Sequence, residues 1–154
     1  YKFIVSSDVW IFLNLALALA ISVPAINIYT HGTHVTVAHS MGSTIGINTM
    51  ILLASAFFLI TDVTKVEFSV IQIKRISFGF WIFNIFFTVF WFCLITAGIE
   101  KGFFTVEDKL SFQEIMIKIH PILVVFAFSG IGMVVGLTFI IHPLLKSAFQ
   151  YLGR

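Results

Sequence analysis

Long apolar runs separated by short polar breaks divide the chain into four segments. The first runs from about Asp8 to Ile28 around the core VWIFLNLALALAISVPA. A helix that crosses a bilayer needs about 20 mostly apolar residues, and this segment is long enough. Asn14 is its one strongly polar interior side chain. Pro24 is expected to kink or end the helix, because proline removes a backbone donor. A short connector, Asn27 to Gly32, follows.

The second segment, about Thr33 to Ile60, is split in character. Its first half is small and polar, with Thr36, His39, Ser40, Ser43, Thr44, Asn48 and Thr49. Its second half, ILLASAFFLI, is plain apolar surface. Polar side chains within a membrane face the protein interior or a cofactor, so a site is expected toward the N-terminal half. The third segment, about Ile76 to Ile99, is rich in aromatics, with Trp81 near its start at the level of the interfacial belt. The fourth, about Gln113 to His142, carries Gly130, Gly132 and Gly136 for close helix approach. The pair His142-Pro143 is expected to end it.

Composition settles the class. Of 154 residues, 59% are hydrophobic and 10% charged, whereas a soluble domain is about a quarter charged. The fold class is an all-α integral membrane bundle in one transmembrane domain, 1–154, because lipid offers backbone groups no partners outside their own helix. A membrane barrel would need strands of about ten alternating residues, and no stretch alternates so. The net charge of +2 gives no basis for a nucleic-acid partner. The single cysteine, Cys93, excludes an intrachain disulfide. The chain starts at Tyr1, a few residues before an apolar segment and without a signal-peptide layout, which reads as the C-terminal part of a longer polypeptide.

Positive charge orients the bundle. Lys2, the Lys65/Lys74/Arg75 loop and the Lys146/Arg154 tail would share one side, and the Asn27–Gly32 connector has neither Lys nor Arg. Both termini are then expected in the cytoplasm of a plasma membrane, with the start of the second segment on the outer side. The loop from Glu100 to Phe112, with Glu107 and Asp108, reads as solvated, as does Glu114.

Candidate chemistry concentrates in HGTHVTVAHSMGSTIGINT, residues 31–49. Residues two apart on an α-helix point about 200° apart and lie about 3 Å apart along the axis. His39 and Met41 therefore look out from opposite faces, and imidazole and thioether are both axial groups for haem iron. One helix could hold two haems, with Ser40, Gly42, Ser43 and Gly46 leaving room for flat macrocycles. His34 stands about 140° from His39, which disfavours a shared metal and favours packing. His31, in the connector, could reach a haem propionate or water. His120 and His142 read as structural.

Tyr29-Thr30-His31-Gly32-Thr33 with His39 eight positions after His31 resembles the haem-copper oxidase superfamily. The likeness is to the helix that carries both haems in the catalytic subunit. Oxygen reductases of that superfamily usually have Asp where Gly32 stands, and the YTHGT form looks more like the respiratory nitric oxide reductases. Thr96-Ala97-Gly98-Ile99 and the Gly79–Trp81 start resemble their penultimate helix. The resemblance implies His39 as axial ligand of a high-spin haem b, and His31 near the haem propionates. It places Met41 where the family has a second His, the ligand of a low-spin haem b. It also implies non-haem iron bound by residues outside this chain. Electrons would come from a cytochrome c subunit or a quinol, and the remaining helices of the catalytic subunit would complete the site. The rival readings are an oxygen reductase, a haem-bearing membrane anchor that passes electrons, and a structural or assembly subunit without metal.

Overall fold

In the computed structural model, residues 1–65 and 68–152 are described; Arg154 of the charged tail lies outside them. Four helices are long and apolar enough to cross a membrane: Lys2–Ser22, His34–Val63, Val70–Val106 and Phe112–Phe149. In chain order the elements are α1 (Lys2–Ser22), α2 (Pro24–Thr30), α3 (His34–Met41), a π-helical stretch (Gly42–Thr49), α4 (Met50–Thr64), α5 (Val70–Val106) and α6 (Phe112–Leu152). The second span is thus one rod made of α3, the π stretch and α4.

The helices outrun the apolar segments read from the sequence. Pro24 does end α1: Val23 is extended, and the proline then occupies the first turn of α2, where its missing donor costs nothing. The connector is helical through Thr30, and only His31, Gly32 and Thr33 form the turn. Gly32 takes φ +69° there, a left-handed conformation that suits glycine. Asn27 Nδ2 donates to the Ile21 carbonyl at 2.7 Å, satisfying an orphan acceptor at the end of α1.

Ser69 and Gln72 form a reciprocal capping box that starts α5, so Lys74 and Arg75 sit on its first turns rather than in a loop. His142-Pro143 does not end α6, which continues to Leu152. Pro143 is buried within the helix, a position tolerated in membrane helices when neighbouring groups make up the lost backbone bond. Along α6 the residues turned inward include Ile115, Ile119, Ser129, Met133, Gly136, Ile140, Pro143 and Ser147. From Ser129 to Ser147 their spacing of three and four is that of a helix packed along its length on one partner, and that partner is chiefly α5. A Cβ on Gly136 would lie 2.6 Å from the Phe83 backbone nitrogen and 2.9 Å from the Gly79 carbonyl, so the two helices meet backbone to backbone.

The core is aromatic. Trp10 of α1 meets Phe87 of α5 at 4.3 Å and Trp91 edge-on at 5.7 Å. Phe87, Ala38 and Met50 are fully enclosed. Most other large apolar side chains, such as Phe12, Leu52, Phe58 and Phe128, point outward, as lipid-facing side chains of a bundle do. Lys2 Nζ donates to Ser77 Oγ at 2.8 Å, which puts the start of α1 beside the start of α5.

Candidate functional site

The site is built where α3 passes into the π stretch. Thr33 caps α3, its hydroxyl accepting from the Val35 backbone at 3.3 Å while donating to the Thr30 carbonyl at 2.8 Å. His39 lies five residues in from His34, about 7.5 Å along the axis. Ala38 and Gly42 form the buried stripe of this rod, and Ser40, Thr44 and Asn48 form its exposed stripe. His39 and Met41 occupy the flanks between, both half-buried.

The two flanks differ. On one, His39 Nδ1 lies 3.1 Å from Asn14 Oδ1 of α1. Asn14 Nδ2 donates to Ser43 Oγ at 2.8 Å, and Ser43 Oγ donates to the His39 carbonyl at 3.4 Å. On the other, Met41 packs against the buried hydrophobic cluster. From α5, Trp91 Nε1 donates to the Ala38 carbonyl at 2.9 Å. The carbonyl just before His39 is thereby anchored to the third span.

Glycine makes the approach possible. A Cβ on Gly42 would strike the Asn14 amide and lie 3.2 Å from Trp91 Nε1; one on Gly46 would lie 2.7 Å from the Trp10 ring. A π segment widens the helix and is frequent at functional sites. Here Thr49 Oγ1 donates to the Thr44 carbonyl at 3.0 Å, across the same five-residue interval as the π bonds.

His31 is exposed in the turn above α3. That turn is tied to the outer end of α5. Lys101 Nζ reaches the Gly32 carbonyl at 3.5 Å, Tyr29 stacks on Phe103 at 4.9 Å, and the Tyr29 hydroxyl donates to Glu107 at 2.5 Å. The bond to Glu107, followed by the carboxylate's charge, holds the Tyr29 phenol above its ordinary value of 10.0. A raised pKa means the tie is fully present below the ordinary value and is lost as pH rises through the raised one. Thermal melts should therefore show an alkaline loss of stability above about pH 10 that Tyr29→Phe lacks. Parallel alkaline limbs in both proteins would contradict this role.

His34 is not brought to His39, and its Nδ1 is buried without a hydrogen-bond partner among the described residues. Nor do three His, Cys, Asp or Glu side chains cluster as a metal site among those residues. Asn14 and Trp91 were the site residues without an assigned role in the sequence reading. Asn14 carried a signal, as a lone amide in an apolar span. Trp91 carried none, being one aromatic among many.

Four helices long and apolar enough to cross a membrane, with a half-buried imidazole on the second, place the chain among helical integral membrane proteins. The chain matches, over residues 2–132, the family described as Cytochrome C and Quinol oxidase polypeptide I, and it belongs to that family. Members of this family are haem-binding membrane oxidoreductases of the respiratory chain. No curated protein matches the chain at a significant level.

The residues present fit a haem at His39. Ser43 has one proton, given to the His39 carbonyl, so its oxygen accepts from the Asn14 amide nitrogen. The amide then offers its oxygen to His39, and in that arrangement Nδ1 carries the ring proton. The lone pair is left on Nε2, the state an axial ligand requires.

Proposed function

We propose that this chain is the haem-bearing portion of a respiratory nitric oxide reductase, with His39 as axial ligand of a high-spin haem b. The observation that supports it best is the YTHGT turn, residues 29–33, followed eight positions after His31 by an imidazole whose Nδ1 lies 3.1 Å from the Asn14 amide oxygen. When bound, a high-spin haem facing a non-haem iron supports the coupling of two NO with two electrons and two protons to nitrous oxide and water.

The chain's own residues hold and orient. His39 would hold the haem iron and transfer no proton. Asn14 and Ser43 keep its ring turned. Met41, on the opposite flank, is the ligand proposed for a low-spin haem b, where a thioether raises the potential relative to a second imidazole. His31, fixed by the ties of its turn to α5, lies in the propionate region. The exposed stripe of Ser40, Thr44 and Asn48 faces the remaining helices of the catalytic subunit, which supply the ligands of the non-haem iron. Those helices belong to the same or a separate chain, and a cytochrome c subunit or a quinol supplies the electrons. The chain lies in the plasma membrane with both termini cytoplasmic, since Lys2, Lys65, Lys74, Arg75 and Lys146 belong to one end of the bundle.

An oxygen reductase is the second reading, because the family is described by its oxidases. Gly32 does not separate the two by sterics. Nothing lies within 4 Å of a Cβ built there, and Asp tolerates the left-handed region better than most residues. Gas consumption and metal content of the purified complex decide between them. The proposal predicts NO uptake with nitrous oxide released, and iron as the second metal. Oxygen uptake with copper would establish the oxidase, and a haem without turnover of either gas would establish an electron-passing anchor.

A further inference from the structure

Asn14 is 4% exposed in the middle of α1. An amide buried at membrane depth costs several kcal/mol unless its bonds are made. Both of its side-chain bonds go to the rod that carries His39, one to the imidazole and one to Ser43. Neither goes to the backbone of α1. A side chain kept only for helix packing would be served as well by leucine. We propose that Asn14 is a positioning residue for His39, setting both the tautomer of the ring and the strength with which Nε2 binds iron. The proposal rests on the reading of His39 as a haem ligand.

Three features carry it. With Ser43 Oγ donating to the His39 carbonyl, the ring of bonds runs one way: Asn14 Nδ2 to Ser43 Oγ, and His39 Nδ1 to Asn14 Oδ1. A flipped amide would forfeit the Ser43 bond to the His39 carbonyl, because the hydroxyl would then donate to Asn14 Oδ1 instead. Second, space for the amide is made by Gly42, where a Cβ would collide with it. Third, Ser43 lies in the first turn of the π stretch, one turn after His39, which brings its hydroxyl to both the amide and the His39 carbonyl.

An acceptor on Nδ1 raises the basicity of Nε2, and outer-shell partners of this kind commonly change metal affinity by about 10- to 100-fold. Asn14 supplies a neutral acceptor, weaker than a carboxylate. The imidazole therefore stays a neutral donor of moderate strength while its orientation is fixed.

The test is resonance Raman spectroscopy of the ferrous full complex in membranes, with haem content measured alongside. In Asn14→Leu the iron–histidine stretching frequency should fall, the potential of that haem should rise, and retained haem should drop on the order of 10-fold. Ser43→Ala leaves α1 intact and removes the hydroxyl that orients the amide, together with its bond to the His39 carbonyl. It should shift the frequency the same way by less, and it carries the test alone if Asn14→Leu fails to accumulate. Frequencies unchanged from wild type in the haem that either variant retains would reduce Asn14 to a packing residue and overturn the proposal, leaving the haem reading intact. A wild-type complex without a histidine-ligated haem would instead overturn the functional reading itself.

Discussion

The high-spin haem signal should disappear from the optical spectrum of the assembled complex when His39 is replaced by Ala, while the four helices remain inserted. The loss is expected to be complete, because no other imidazole reaches that flank of the rod: His34 lies about 140° around the helix and His31 is in the turn above it. Stability suffers less than function. Removing the ring leaves the Asn14 oxygen without its 3.1 Å partner, at about 1–3 kcal/mol for a buried unsatisfied acceptor. The bundle keeps its aromatic core, since Phe87, Trp91 and Trp10 do not touch His39 through any bond in the network. His34→Ala is the control, with an unchanged spectrum expected. Retention of the high-spin signal in His39→Ala would contradict the ligand assignment.

Gly98→Leu should cost more in stability than any substitution on the lipid face, and should loosen the site from a distance. A Cβ on Gly98 would collide with the Val35 backbone nitrogen and side chain, and would lie 3.0 Å from the His34 carbonyl carbon. Backbone atoms cannot turn aside as a flexible side chain can. Overpacking typically costs about 1–3 kcal/mol, and a contact of this kind belongs at or above the upper end. The start of α3 must then move off α5. That stretches the bond from Trp91 Nε1 to the Ala38 carbonyl, which precedes the ligand. Thermal unfolding of the purified complex should show a lower midpoint together with reduced haem content. A midpoint equal to wild type would mean that α3 and α5 do not meet at Gly98.

The apolar segments made the fold legible: four long runs correspond to the four spanning helices. Their ends were harder to see, for identifiable reasons. Hydropathy falls where α5 continues past Ile99, because Glu100 and Lys101 interrupt the run, yet buried Gly102 and stacked Phe103 keep the helix packed to Val106. The Ser69-x-x-Gln72 capping box was a readable marker of the start of α5, obscured by the nearby lysines and arginine. Pro143 looked like a stop because proline breaks exposed helices, but α5 lines its inner side and holds α6 together.

At the site, the angular offset of His39 and Met41 follows from helix geometry alone; both are half-buried, His39 beside Asn14 and Met41 against the hydrophobic cluster. The π stretch was not legible, because Gly42, Ser43, Thr44 and Gly46 suit an α-helix of small residues equally well. Side chains of α1 and α5 close on Gly42 and Gly46 there, a tertiary feature that local sequence does not show. Asn14 was visible as an oddity in α1 but not as a partner of His39, since 25 residues of chain separate them.

Electron cryo-microscopy of the full membrane complex tests the central claim most directly, read at the density beyond His39 Nε2. A porphyrin with its iron bound to that nitrogen, and Asn14 on the far side of the ring, is the predicted result. Lipid tails or a neighbouring side chain in that place would contradict it.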